Sequence, residues 1–530
     1  MVSVSQSTDG SGLLSAFVAI AVAFIAYYAY QLVASGRPTV PLPPGPRPLP
    51  LVGNLLGFPS FHPWETFSKW GETYGGIIHV SVLGQSIIVL NDARYAIDML
   101  DRKGALYSDR PTLVMCGELI GWDEGPALSQ FGDRWAEYRR FFSQFMGTKA
   151  KVEAFSHTLH EETNAFLKHL LAEPRKWVEH TQRFAGGFVL QLTYGYRASD
   201  PGGKELVKLV DDAMEGFSEA TVQNAFLVDV IPVLRYVPEW FPGAAWKRKA
   251  RMYHDYLQKM LRAPFELVKQ QMHTPFKAAG VARPSFTQSH LEGQSLAAEQ
   301  ERIIQWTAAG IYSGGADTVS ILVYLFIHSC IESFFLGITR HTDQQRRAQA
   351  ELDAVLGFDC LPTLADRERL PYCEALYLEI MRCYTFGPLG LPHVVREDDV
   401  HDGYFIPKGS IIIPNNWQFF NNPKTYPQPK TFAPERFMGK EKQYDPRKYL
   451  FGYGRRTCPG IHLADASMWL LCMSVLALFD VEPPVEDGTP VVPPARFLDG
   501  AISHPEAFKC VIKPRSAGAE ALVRGLSGNL

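Results

Sequence analysis

The sequence has no Cys-x-x-Cys pair among its eight cysteines, which stand at 116, 330, 360, 373, 383, 458, 472 and 510. That absence removes the main support for a zinc ribbon, a thioredoxin-like centre or a ferredoxin-type cluster. A disulfide framework is equally out of place in so long and so apolar a chain. No Asn-x-Ser/Thr sequon occurs, which favours a bulk domain kept out of the secretory lumen. Charge of one sign is not in excess: 52 Lys and Arg face 55 Asp and Glu, for a net charge of −3. A nucleic-acid binder would carry a basic stripe or patch, so that class is excluded. There is no internal repeat. Gly452-Tyr453-Gly454 has no third glycine and no strand–helix setting, so no dinucleotide fingerprint is present.

What is present is a 530-residue chain, 46% hydrophobic and 20% charged, a composition of large globular proteins. Residues 12–34 open with GLLSAFVAIAVAFIAYYAYQLV, which is long and apolar enough to span a bilayer as one helix. Tyr27, Tyr28 and Tyr30 suit an interface. Residues 1–11 hold Asp9 and no Lys or Arg, which opposes a cleaved signal peptide, while Arg37 and Arg47 follow the span. The positive-inside bias therefore leaves the bulk of the chain on the cytoplasmic side. The hinge at 35–50 includes PTVPLPPGPRPLP, with seven prolines, and reads as a stiff extended spacer. The remainder divides into one domain over 51–515 and a tail at 516–530. SIIVLND (86–92) reads as a strand, long amphipathic helical patterns run to about residue 385, and 393–420 reads as short strands and hairpins. Residues 297–335 predict a central helix, or two in tandem.

FGYGRRTCPG (451–460) sets Cys458 among glycines, two arginines and a proline, just before an apolar helical stretch. Pro459 suits the first position of that helix, where a missing N–H costs nothing. The helix start would then favour a thiolate. Three readings are open for such a residue: a small buried hydrophobe, a nucleophile served by His462, or an axial thiolate ligand to a haem. Only the third uses every unusual neighbour, with glycines giving clearance and arginine meeting a propionate.

The pattern F-x-x-G-x-R-x-C-x-G, filled by Phe451, Gly454, Arg456, Cys458 and Gly460, resembles the haem-thiolate signature of the cytochrome P450 monooxygenases. Further motifs of that family follow in order. Glu379-Ile-Met-Arg382 resembles its E-x-x-R, and Pro434-Glu-Arg436-Phe resembles the PERF element whose arginine closes a buried triad with that Glu and Arg. Alone, Glu379 and Arg382 would be an ordinary surface pair worth little. Trp135-Ala-Glu-Tyr-Arg139 resembles the W-x-x-x-R used on haem propionates, and His393 stands where another propionate donor is often found. Gly314-Gly-Ala-Asp317-Thr318 resembles the central A/G-G-x-D/E-T. There an acid followed by a hydroxyl serves the proton delivery that O–O cleavage requires.

The resemblance spans essentially the whole chain. It implies a mainly α fold with small β-sheets and an N-terminal transmembrane helix. Its chemistry would rest on haem b held by Cys458, with Asp317 and Thr318 as catalytic residues. Phe451, Gly454, Arg456, Gly460, Trp135, Arg139 and His393 would bind the cofactor, with Glu379, Arg382 and Arg436 as the structural triad. Two electrons would come from NADPH through a cytochrome P450 reductase, docked at a patch including Arg140, Arg447, Lys448 and Arg455. The substrate would be a hydrophobic small molecule, met by residues in 107–130, 308–316, 388–391 and 501–503. The setting is the endoplasmic reticulum membrane, single-pass and facing the cytoplasm, and the wording is nearest to fungal enzymes of secondary metabolism. An isomerase or dehydratase that uses no dioxygen is the rival enzyme reading. One stretch departs from the family: ILVYLFIHSCIE (321–332) adds about two helical turns. It is either a local extension or translated sequence foreign to the natural enzyme. If it disrupts the core, an impaired haem-binding protein or sensor is the remaining reading.

Overall fold

A computed structural model describes residues 40–197, 200–221, 226–273, 283–293, 296–313, 323–500 and 502–526. The expected membrane span at 12–34 and the Gly314–Thr318 motif lie outside the described residues.

Helices dominate, as the long amphipathic patterns require. In chain order the principal ones are Pro63–Tyr74 (α1), Asp133–Met146 (α2), Ser156–Ala172 (α3), Trp177–Tyr194 (α4), Gly203–Thr221 (α5), Ala245–His273 (α6), Ala298–Ser313 (α7), Val323–Arg340 (α8), Thr342–Leu356 (α9), Pro371–Cys383 (α10), Ile461–Leu478 (α11) and Ala517–Gly525 (α12). The helical stretch expected over 297–335 is described as α7 and α8 on either side of residues 314–322, which lie outside the described residues. Helix α11 is apolar all round and buried at nearly every position, so it is the spine of the core. Among the described residues it alone is long and apolar enough to cross a membrane, but 83% of it is buried inside the protein. Around it pack α3, α8 and α9, and α8 also meets α4 and α10. Trp177 of α4 stacks on Phe335 of α8 at 4.7 Å between centroids. The described part of the departing stretch, residues 323–332, forms the start of α8, and residues 327–332 are buried. The 516–530 tail is, over α12, a helix that buries Ala519 and Val523.

The sheets are small. Ile77–Val82 (β1), Gln85–Leu90 (β2), His393–Val394 (β3) and Ile411–Pro414 (β6) form one sheet in the order β1-β2-β6-β3. Between its last members, Asp399–His401 (β4) and Tyr404–Ile406 (β5) make a hairpin through Gly403, whose φ is +78°. β2 pairs with β6 in parallel, Ile88 opposite Ile412, so both faces of the sheet carry branched apolar residues. A second pair joins Phe479–Glu482 (β7) to Val511–Pro514 (β8). The strand expected at 86–92 and the hairpins expected in 393–420 are therefore present. The proline-rich segment is not a free spacer over its described part: Pro44 accepts from the His79 N–H at 3.0 Å and Pro41 from the Phe405 N–H at 2.8 Å. It lies along sheet edges, where proline needs no ladder donor.

Helix α11 begins at Ile461 with Gly460 as its N-cap, two residues later than the proline rule indicates. Pro459 sits in the preceding turn. A short 3-10 turn at Gly454–Arg456 is followed by an extended Thr457, which leaves Cys458 three residues ahead of the helix.

Candidate active site

Cys458 is 2% exposed, and its N–H donates to the Phe451 carbonyl at 2.8 Å. This bond closes the 451–458 loop on itself and fixes where the thiol emerges. Gly454 has φ +50°, and a Cβ there would stand 2.3 Å from the Leu100 carbonyl oxygen. The Gly454 N–H also donates to the Asp101 carboxylate. The clearance that this glycine provides is thus for the Leu100–Asp101 backbone rather than for a flat ligand. Gly460, at φ −92°, makes no left-handed demand.

The residues expected around Cys458 do assemble there. Trp135 and Arg139, one turn apart on α2, share a face. Arg139 donates to the Thr457 carbonyl at 2.7 Å, next to Cys458. Its guanidinium lies 5.8 Å from the centre of the Trp135 ring, and that of Arg456 lies 5.0 Å from the same ring. Arg456 is fully buried and donates to the carbonyls of Ser108 at 2.7 Å and Ser129 at 2.8 Å. Arg455, expected at the partner-docking patch, lies over the Phe131 ring at 5.3 Å.

His393 is 1% exposed, and its Nδ1 donates to the Tyr107 carbonyl at 2.7 Å. Burial holds its imidazole neutral, and the Arg110 and Arg456 charges push it further that way. Neutral with the proton on Nδ1, it offers Nε2 as an acceptor, so it does not donate to a carboxylate in this state. An anion set among Arg110, His393 and Arg456 would offset the arginine repulsion and favour the second proton. The donor set, two buried guanidiniums and an imidazole beside a buried thiol, fits an iron porphyrin with acidic side arms.

Arg110 is the residue that sequence reading missed. It is 2% exposed and donates to the Leu391 and Pro392 carbonyls at 3.3 and 2.7 Å. Its one sequence signal is an Asp-Arg pair directly ahead of the less polar run PTLVMC. These bonds tie the 107–130 segment to 388–392, and the Ser503 N–H donates to the Phe386 carbonyl at 2.9 Å, so three expected substrate segments converge. The fourth, α7, meets the first through Glu124, which accepts from Arg302 and from the Trp306 indole at 3.2 Å. Trp122 packs edge-on to Phe217 of α5 at 5.0 Å and lies 6.1 Å from Trp306. Ala308 and Ala309, in the expected substrate segment of α7, are buried.

The triad is formed and buried. Glu379 takes two 2.8 Å bonds from Arg382, and Arg436 reaches it at 3.0 Å. The Ala433 N–H adds a fourth at 2.8 Å. The surface-pair reading therefore fails, because Glu379 is fully buried.

On the outer side of the Cys458 loop lies a groove of about 580 Å³, lined in part by Arg447, Lys448, Gly452, Thr457 and His462. Of the four cations expected to dock a partner, Arg447 is committed elsewhere. It joins Asp445, Asp465 and Glu374 at 2.6–3.2 Å, with Arg367 completing the cluster. Burial alone would raise the Asp465 carboxyl, but Arg367 and Arg447 hold it below the usual range. Arg140 pairs with Glu137 at 2.5 Å, and Lys448 lies over the Tyr444 ring.

The family model described as cytochrome P450 matches residues 43–510. The chain is 45% identical over 515 residues to cytochrome P450 monooxygenase 208 of Postia placenta, covering 97% of each chain. It is 41% identical to cytochrome P450 monooxygenase claR of Ampulloclitocybe clavipes, over 91% of this chain and 88% of that one. To the tryptamine 4-monooxygenase of Psilocybe cyanescens it is 35% identical, over 92% and 95% respectively.

Proposed function

The chain belongs to the cytochrome P450 family and is a haem-thiolate monooxygenase; from that premise we propose which residues do the work and on what. Cys458 would hold the haem iron through its thiolate, and Arg456, Arg139, Trp135, His393 and Arg110 would hold the acidic side arms. The observation that carries this reading is the convergence of one buried thiol, two buried guanidiniums and His393 through a single loop and the Tyr107–Ser129 segment. Haem bound there supplies the iron at which dioxygen is activated, with the thiolate as electron donor to it. Phe451 holds the Cys458 backbone in place through its carbonyl. Asp317 and Thr318 deliver protons, and the apolar segments around Trp122 and Ala308 orient a hydrophobic substrate and exclude water. Electrons come from an NADPH-dependent reductase docked at the groove beside Lys448 and Arg455. Residues 12–34 anchor the enzyme in the endoplasmic reticulum membrane, facing the cytoplasm. The relatives support a place in fungal secondary metabolism.

The test is spectroscopic and then catalytic. Haem-loaded protein, reduced under carbon monoxide, is expected to give the red-shifted Soret band of a thiolate ligand, and Cys458→Ala is expected to lose it. Retention of that band in the variant refutes the ligand assignment. Product formation that needs NADPH, the reductase and dioxygen together then excludes the isomerase reading.

A further inference from the structure

Far along the chain from the Cys458 loop, α8 presents two metal-binding side chains one turn apart, His328 and Glu332, on the face that meets the 497–505 loop. That loop brings His504. Glu332 stands between the two imidazoles, 3.5 Å from His328 Nε2 and 3.2 Å from His504 Nδ1. One ligand atom from each of the three residues lies within 4.8 Å of the others. The placement is built, not incidental. Ser329 Oγ donates to the Ser503 carbonyl at 2.7 Å, and within the loop the Leu498 N–H donates to the His504 carbonyl at 2.8 Å.

The electrostatics leave this cluster short of positive charge. Glu332 is 8% exposed, and its ion-pair partners among the described residues are these two imidazoles, with no Lys or Arg. Burial pushes His328 down to about 4, toward the neutral form. A buried carboxylate whose partners are imidazoles alone gains from a cation that joins the three groups. Two imidazoles with one carboxylate are also a donor set that zinc accepts, at about 2.0–2.2 Å per ligand, with a water as fourth ligand. His504, whose side chain is 23% exposed, supplies the route from solvent.

We propose that His328, Glu332 and His504 form a divalent-metal site of zinc type, separate from the haem centre, that clamps α8 to the 497–505 loop. Two of its ligands, His328 and Glu332, lie one turn apart on α8, and the third comes from a loop about 170 residues further along the chain. Because Ser503 of the clamped loop belongs to a segment expected at the substrate, the metal would stiffen that segment.

The experiment uses the full-length, haem-loaded protein, treated with a chelator and dialysed against micromolar free zinc. Elemental analysis is expected to find about one zinc per haem iron, accompanied by a rise in the thermal midpoint. His504→Ala, at a half-exposed position, is expected to fold and keep its carbon monoxide spectrum while losing at least about tenfold in zinc affinity. Glu332→Gln and His328→Ala should do the same. The control His157→Ala, at an exposed histidine, should bind as the parent does. If His328→Ala does not fold, His504→Ala and the zinc-dependent rise in midpoint of the parent decide the matter. Absence of stoichiometric zinc in the parent, or parental affinity in His504→Ala, overturns the proposal.

Discussion

Consider Glu379→Gln. The native carboxylate receives two 2.8 Å bonds from Arg382, one near 3.0 Å from Arg436 and one from the Ala433 N–H. All three side chains are below a tenth exposed. Glutamine keeps the shape and one acceptor, but turns an N–H₂ group toward guanidinium donors and removes the only carboxylate charge given to either arginine. What remains is two buried cations served by carbonyls: Phe420 for Arg382, and Pro427 and Thr431 for Arg436. Breaking a buried pair by removing one partner costs about 3–5 kcal/mol, and two orphaned arginines place this case at the upper end. Against a total stability of about 5–15 kcal/mol, that is a large fraction of the whole. Urea unfolding of the haem-loaded protein, followed by tryptophan fluorescence and by the carbon monoxide band together, should show a much lower midpoint. The double variant Glu379→Gln with Arg436→Met removes one of the stranded charges. It should therefore be less destabilised than the two single effects summed, because the residues share one network. A Glu379→Gln cost below about 1 kcal/mol, or strict additivity in the double variant, would refute the reasoning.

Three more outcomes are expected. Gly454→Ala combines a φ of +50° with a Cβ that would meet the Leu100 carbonyl; it should cost about 1–3 kcal/mol and reduce haem retention, measured by the Soret to protein absorbance ratio. Arg110→Ala and Arg139→Ala should each weaken haem binding in apoprotein titrations, with Arg110→Lys recovering less than a like-for-like charge would because it lacks the planar fork. His341, stacked on Phe432 and hydrogen-bonded to the Tyr384 hydroxyl at 2.9 Å, is lowered from 6.5 to about 4, first by burial and then by Arg340. Its folded value lies below its unfolded one, so its contribution is complete above pH 6.5 and is lost as pH falls toward 4. His341→Gln should flatten the midpoint-versus-pH curve over that interval, and an unchanged curve would count against the assignment.

Much of the site was legible because its chemistry depends on short spacings. One helical turn puts Glu379 beside Arg382 and Trp135 beside Arg139, and a strand needs only alternation, as in β2. Cys458 stood out because glycine, arginine and proline around a thiol have few other uses. Burial was less legible: the same Glu379–Arg382 spacing describes a solvated surface pair until Arg436, 57 residues on, folds over it. Arg110 had no motif at all, because its meaning comes from Leu391, Pro392 and His393, which lie some 280 residues away in the chain.

By itself, then, the sequence determined the helical class, the thiolate loop and the order of motifs along the chain, since these rest on local periodicity and on rare residue combinations. Only the tertiary structure decided that Gly454 makes room for backbone, that Pro459 precedes rather than starts its helix, and that Arg447 belongs to an internal ion cluster. It alone set His504 against Glu332. Each of these is a contact between distant segments, fixed by packing around the apolar α11 and invisible to any window of neighbouring residues.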